Sequence, residues 1–369
     1  MARNKYYQTL IYSVFILAVL VVGLGVFTRL TEAGLGCPDW PGCFGFLTVP
    51  QSQERLSQVA VVFPDIFVDI QKAWNEMVHR YMAGLLGLLI AAITFLAWRK
   101  SERNKVLPSV LLVVVLLQAV LGMLTVTMNL MPIVVMGHLL GGFITVSLLF
   151  LLAIVENQRI SKTTQYLLSM TNLKTVSTMK SFSIENVVRK LTTTFSIKVL
   201  AISALIAVVL QIVLGGWTSA NYASSVCTQL PVCEVDWVSK YDISAFHPVS
   251  PTKETYQYGV LNFEQRVTIH ATHCIGSMIV SMLVLLLAMA VRHSLGIRAA
   301  LGLSASLLLQ ILLGVTNVVA QLPLSVAVAH NLCGMLLLLV MLRITVRIFM
   351  APTSAVHVSV KKTGRLNRG

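Results

Sequence analysis

Residues 10–29, "LIYSVFILAVLVVGLGVFTR", contain no charged side chain before Arg29 and are long enough to cross a bilayer as one helix. About 20 apolar residues, at 1.5 Å each, cover the roughly 30 Å of membrane hydrocarbon. The rest of the 369-residue chain has a similar character, with 56% hydrophobic residues, 11% charged residues and a mean hydropathy of +0.80. This composition leaves too little polar surface for a soluble protein. It predicts an all-α integral membrane protein.

Seven further apolar runs have the length of a membrane span: 74–98, 106–128, 132–154, 196–219, 266–291, 299–320 and 324–348. The first span stays in the mature chain, because no small-residue cleavage site follows it. Eight spans place both termini on one side, and most Lys and Arg residues lie in the segments on that side. The positive-inside rule therefore predicts cytoplasmic termini and a multi-pass protein of a bacterial-type inner (plasma) membrane. The net charge of +14 reflects this orientation and does not indicate nucleic-acid binding.

An internal repeat relates the two halves of the chain. A shift of 190 residues matches glycine, threonine, cysteine, proline and cysteine at positions 25, 28, 37, 41 and 43, and a shift of 192 matches "LQAVLGMLTV…MGHLLGG" to "LQILLGVTNV…AHNLCGM". Each half has four spans, so both enter the membrane in the same direction. We therefore expect two tandem parallel-repeat four-helix bundles, 1–155 and 196–350, with a polar cytoplasmic linker (156–195) and a cytoplasmic tail (351–369).

Four cysteines lie in two of the predicted outer loops. Cys37 and Cys43 belong to "GLGCPDWPGC", and Cys227 and Cys233 belong to "SSVCTQLPVC". Disulfides persist on the outer side of such a membrane, and each pair encloses five residues, including a proline. The spacing favours one disulfide in each loop over free or redox-active thiols.

Five histidines lie inside predicted spans, and the repeat pairs four of them: His79 with His273, and His138 with His330. A lone histidine in a membrane is as well explained by a polar contact between helices. Four at a common depth suggest instead that each half offers two axial ligands to a haem iron, with the porphyrin buried in the bundle core. Zinc is the competing metal, but each half lacks third and fourth ligands at this depth. The pattern therefore predicts two haem sites.

One asymmetry distinguishes the halves. The motif "IHATHCIG" offers two candidate ligands on one helical face, His270 and His273. Aligning "HRYMAG" with "HCIGSM" favours His273 over His270, because it pairs His79 with His273 and places His270 where Glu76 stands. Glu76 and His79 are one helical turn apart and share a face. The alternative for Glu76 is a structural role, in which it satisfies a backbone group at the helix start. We interpret this asymmetry as a sign that the two halves have different functions.

Five motifs, in this order on eight spans, resemble the haem A synthase family: "RLTEAGLGCPDWPGC", "NEMVHRYMAGLLG", "MGHLLGG", "IHATHCIG" and "VAHNLCGM". The resemblance covers the chain apart from the linker and tail. It implies an enzyme, an oxidoreductase that oxidises haem O to haem A for cytochrome oxidase. It further implies a haem b cofactor between His273 and His330, a haem O substrate between His79 and His138, and a catalytic Glu76.

The implied reaction oxidises a ring methyl group to an aldehyde through hydroxylated stages, with Glu76 removing protons or stabilising a cation. The implied partners are haem O synthase, an electron donor and membrane lipid, and an oligomer is compatible with them. Arg80 either extends to the membrane interface or contacts a haem propionate. Cys274 departs from the family, because it stands where an arginine follows the ligand in many relatives. Arg266 is a candidate substitute for that charge.

Two other classes of protein remain open. A di-haem electron-transfer subunit would hold both haems permanently, but it needs no acidic group beside only one of them. A transporter built from parallel repeats would need polar groups at its midplane, whereas the ionisable residues here cluster near the outer face.

Overall fold

A computed structural model describes residues 2–171, 184–249 and 253–350 of the chain. Within these residues the named elements are all helical: α1 (Ala2–Leu30), α2 (Gln53–Val62), α3 (Ile70–Trp98), α4 (Val106–Thr127), α5 (Pro132–Thr171), α6 (Ile184–Ala220), a 3-10 turn (Ile243–Phe246), α7 (Phe263–Ser294), α8 (Ile297–Val319) and α9 (Leu324–Met350). All of the α-helices except α2 are long and apolar enough to cross a membrane. This confirms an all-α membrane protein with eight candidate spans. The predicted tail, 351–369, lies outside the described residues.

Two helices extend beyond their predicted spans into the predicted linker. Helix α5 runs on to Thr171 and α6 begins at Ile184, so both ends of the 156–195 segment are helical. The sequence in these extensions contains neither glycine nor proline, the residues that usually end a helix. The short helix α2 was not predicted at all. It lies in the first loop, where Ser52 caps it by accepting a hydrogen bond from the amide of Arg55 at 3.3 Å.

The helices pack as two sets of four. In the first set α1 contacts α3 and α5, and α4 contacts the same two helices; in the second set α6 contacts α7 and α9, and α8 contacts the same two. The sets meet through α1, α5, α6 and α9. One continuous apolar core joins them, with fully buried side chains from both sets, such as Ile90 and Met341. The domain boundaries themselves stay predictions.

Polar caps begin α3 and α7, two of the four helices that carry a candidate ligand. Asp69 accepts a hydrogen bond from the amide of Lys72 at 3.0 Å and starts α3, while Asn262 and Gln265 form a capping box at the start of α7. His79 and His273 therefore lie about three turns inside their helices. The caps satisfy amides that would otherwise lack partners at the membrane boundary.

Both predicted disulfides are present, Cys37–Cys43 and Cys227–Cys233. We call the side of the protein that carries them the disulfide end. Here the segment before α7 lies against the first helix set, because the amide of Tyr256 donates to the carbonyl of Asn129 at 3.0 Å.

Candidate functional site

The first histidine pair faces across the first helix set. The rings of His79 on α3 and His138 on α5 have centroids 6.4 Å apart and planes at 89°. Glycines of the two other helices lie behind them. A Cβ atom at Gly25 would lie 2.9 Å from Cε1 of His79, and one at Gly122 would lie 3.3 Å from Cε1 of His138. Larger residues at these two positions would therefore displace the rings.

The spacing of this pair fits two ligands on opposite faces of one iron. With metal–nitrogen bonds of about 2 Å, the two ligand nitrogens lie about 4 Å apart and the ring centroids about 6 Å apart. The Nδ1 atoms of both rings are buried without a hydrogen-bond partner. The described residues contain one cluster of three possible metal-binding side chains, Cys227, Cys233 and Glu234, and its sulfurs are already joined in a disulfide. The histidine pair thus fits a haem better than a tetrahedral zinc.

The second histidine pair, His273 on α7 and His330 on α9, lines a cavity of about 260 Å³ between α6, α7, α8 and α9. Glycines again lie behind the rings. A Cβ atom at Gly215 would lie 3.2 Å from Cε1 of His273, and one at Gly314 would lie 3.1 Å from Cε1 of His330. The four glycines and four histidines thus make the same contacts in both helix sets.

Two glutamines contact the second pair and were missed as site residues. Nε2 of Gln211 lies 3.0 Å from Nδ1 of His273 and donates to the carbonyl of that residue at 2.9 Å. Nε2 of Gln310 lies 3.2 Å from Nε2 of His330, so a metal at this nitrogen would replace that contact. The only sequence signal for Gln310 was that the repeat matches it to Gln118. Gln211 gave no signal, because Val21 stands at the equivalent position.

Glu76 connects α3 to the first disulfide loop. Its Oε2 accepts a hydrogen bond from the amide of Cys37 at 2.9 Å, and its Oε1 lies 2.5 Å from Nη2 of Arg80. Only 6% of the Glu76 side chain and 12% of the Arg80 side chain are exposed. The backbone group that Glu76 satisfies therefore belongs to the loop and not to the start of α3, which Asp69 caps.

Arg80 makes contacts that were not predicted from the sequence. Its Nη1 donates to the carbonyl of Asp39 at 2.9 Å and also to that of Gly42. The guanidinium thus lies between Glu76 and the loop that contains the first disulfide. One buried ion pair holds the carboxylate, the loop and the ligand-bearing helix together.

His270, the counterpart of Glu76, also connects its helix to a loop. Its Nδ1 lies 3.0 Å from the carbonyl of Ala223, four residues before Cys227. Its Nε2 is buried without a hydrogen-bond partner, and the residue lines the cavity of the second pair. The two sites therefore differ in charge at equivalent positions, with an acidic group beside His79 and an imidazole beside His273.

Comparison with known proteins agrees with this arrangement. A family model, COX15-CtaA, described as a cytochrome oxidase assembly protein, matches residues 8–342. A protein of Shewanella oneidensis named "Heme A synthase" is 42% identical over 331 residues, which are 89% of this chain and 92% of that one. Proteins of the same name from Bartonella tribocorum and Lysinibacillus sphaericus are 32% and 29% identical over 133 and 141 residues, or 32% and 37% of this chain and 37% and 39% of theirs.

Proposed function

This chain belongs to the COX15-CtaA family of cytochrome oxidase assembly proteins, and we propose that it is a haem A synthase, an oxidoreductase that converts haem O to haem A. One observation carries the proposal. The His79–His138 pair has the spacing for an iron porphyrin and has a buried carboxylate, Glu76, one turn away, whereas the second pair has His270 at that position. A protein that only relays electrons needs no such difference.

The proposed reaction turns a ring methyl group of haem O into a formyl group. If water supplies the oxygen atom, the methyl group and one water yield the aldehyde, four protons and four electrons. With water as the source of the oxygen atom, the redox partner of this protein must accept electrons from it. The electron donor implied by the family resemblance fits instead a reaction in which dioxygen supplies the oxygen atom.

In the first helix set, His79 and His138 hold the iron of the substrate from opposite sides. Glu76 accepts protons from the reacting methyl group or stabilises positive charge there. The amide of Cys37 and the guanidinium of Arg80 hold its carboxylate in one orientation. A small apolar cluster packs over this end and limits the entry of water: Cys37, Cys43, Phe44, Val49, Val59, Ala73 and Met77.

In the second helix set, His273 and His330 are the proposed ligands of a haem b cofactor. Bound there, haem b supplies one-electron transfer. Gly215 and Gly314 leave room for the imidazole rings, and Gln211 holds the ring of His273. The two sets pack directly on one another through α1, α5, α6 and α9, which suits electron transfer between them.

We place the protein in a bacterial-type inner membrane with both termini in the cytoplasm. The basic residues of the N-terminus, the 99–105 turn and the linker support this orientation. A haem O synthase is the proposed source of the substrate, which is too apolar to travel through water.

Removing the histidines one at a time tests the assignment of haem b to the second pair and of the substrate haem to the first pair. We expect His273→Ala or His330→Ala to strip haem b from the purified protein. His79→Ala and His138→Ala should mainly abolish binding of the substrate haem. The measurement is pyridine haemochrome analysis combined with chromatography of the extracted haems. Equal loss of haem b from all four variants would contradict the assignment. A wild-type protein with two b haems that forms no haem A from haem O would be an electron-transfer subunit instead.

A further inference from the structure

Arg29, at the end of α1, extends from the first helix set into the second. Its Nη1 donates to the hydroxyl of Tyr222 at 2.7 Å, and its Nη2 donates to the carbonyl of Ser219 at 3.0 Å. The guanidinium carbon also lies 4.2 Å from the centre of the Tyr222 ring. The charge is thus held in a defined place by residues of the other set.

No acidic side chain in the described part of the chain forms an ion pair with Arg29. The ion pairs found there, those of Arg80 and Arg159, do not include Arg29. Its contacts, a tyrosine hydroxyl, a peptide carbonyl and an aromatic ring, are all neutral, and its Nε is buried without a hydrogen-bond partner. A partly buried cation of this kind is costly unless an anion accompanies it.

The cavity of the second histidine pair lies next to this cation. Leu30 and Ser219, a neighbour and a partner of Arg29, both line it. So do His270 and Asn317, which carry two more atoms, Nε2 and Oδ1, that are buried without hydrogen-bond partners. All of these residues lie near helix ends at the disulfide end of the protein. This end of the cavity is thus polar, and the guanidinium of Arg29 lies beside it, held by Ser219 of the lining.

The opposite part of the cavity is mainly apolar, with Gln211, Ser277 and Ser281 as its polar lining. Its lining toward the middle of the helices includes Val208, Ile212, Leu307 and Leu337. A ligand that matches this division has a flat apolar body and anionic groups along one edge. Haem b, with its macrocycle and two propionate carboxylates, has this form.

We propose that Arg29 is a binding residue for the carboxylates of the porphyrin in the second helix set. The inference rests on the proposed function, in which His273 and His330 hold haem b. The cofactor site is then incomplete without α1 of the first set. Arg80 cannot take this role, because Glu76 and loop carbonyls already engage it.

The test compares two porphyrins in haem-free protein: haem b and its dimethyl ester, which lacks the negative charges. Wild type should bind the ester about tenfold more weakly, or about 1.4 kcal/mol. Arg29→Met should bind haem b about as weakly as the ester, with little change for the ester. Arg29→Lys should keep most of the preference. The readouts are the dissociation constants and the bis-histidine absorption spectrum, so the test does not depend on catalysis.

Arg266→Met tests the competing candidate named from the sequence, because Arg266 is also an arginine at the disulfide end whose Nε is buried without a hydrogen-bond partner. It should keep the preference for the free acid. The inference is overturned if wild type binds both porphyrins equally, if Arg29→Met retains the preference, or if Arg266→Met loses it instead. If Arg29→Met does not fold, equal binding of both porphyrins by wild type still overturns the inference, and so does an Arg266→Met variant that loses the preference. If His273→Ala bound haem b as tightly as wild type does, the cofactor assignment itself would be overturned, and the role of Arg29 with it.

Discussion

Glu76→Gln changes one buried carboxylate to an amide of the same size. The amide oxygen can still accept the hydrogen bond from Cys37, but the charge that faces Arg80 at 2.5 Å is lost. Removing one partner of a buried ion pair costs about 3–5 kcal/mol. Because Arg80 keeps its bonds to the carbonyls of Asp39 and Gly42, we expect a loss of stability near the lower end, about 3 kcal/mol.

The expected effect on catalysis is larger than the effect on haem binding. Loss of a positioned general base lowers a rate by about 10²- to 10⁴-fold, which corresponds to about 3–5 kcal/mol of transition-state stabilisation. The histidines remain in place, so both haem sites should stay occupied. The assay supplies haem O to the expressed variant and separates the extracted haems by chromatography. Haem O or a hydroxylated intermediate should accumulate.

Glu156→Gln is the control for damage to the fold alone. Glu156 is buried and paired with Arg159 at 2.7 Å, but it lies about 27 Å along α5 from His138. We expect a similar loss of stability and a rate of haem A formation within about twofold of wild type. A normal yield of haem A from Glu76→Gln, or an equal loss of activity in both variants, would refute a catalytic role for Glu76. Loss of all bound haem from Glu76→Gln would show that the charge of Glu76 is needed to form the haem sites and would not address its role in catalysis.

The loop disulfides should protect their cysteines from alkylation unless the protein is first reduced, as measured by mass spectrometry, and alkylated cysteines would rule the bridges out. Replacing Cys37 and Cys43 by serine should cost about 2 kcal/mol of stability, because the closed loop is short, and full activity would show that this bridge is at most structural. Gly25→Ala should weaken binding of the substrate haem, since its Cβ would lie 2.9 Å from the nearest imidazole. Gly84→Ala, which meets open space, should bind it normally and gain up to about 1 kcal/mol of helix stability; equal haem titrations of the two variants would contradict this account.

Features that depend on near neighbours along the chain could be predicted from the sequence. The eight spans follow from unbroken apolar runs, because any chain in hydrocarbon must satisfy its backbone hydrogen bonds within each helix. The disulfides follow from cysteines six residues apart in outer loops. The four histidines were recognisable because the repeat places them at matching positions. Helix α2 was missed, since its composition does not distinguish it from the polar loop around it.

What only the tertiary structure decided is how the polar groups of the site are paired. Glu76 and Cys37 are 39 residues apart, and Arg29 and Tyr222 are 193 apart, so no local pattern predicts either contact. The same holds for Gln211 and His273, which lie on different helices. In each case a side chain had several possible partners at the same depth. The packing of the helices selected one partner. A buried polar group must form a hydrogen bond within reach, because otherwise the free-energy cost of its leaving water is not offset.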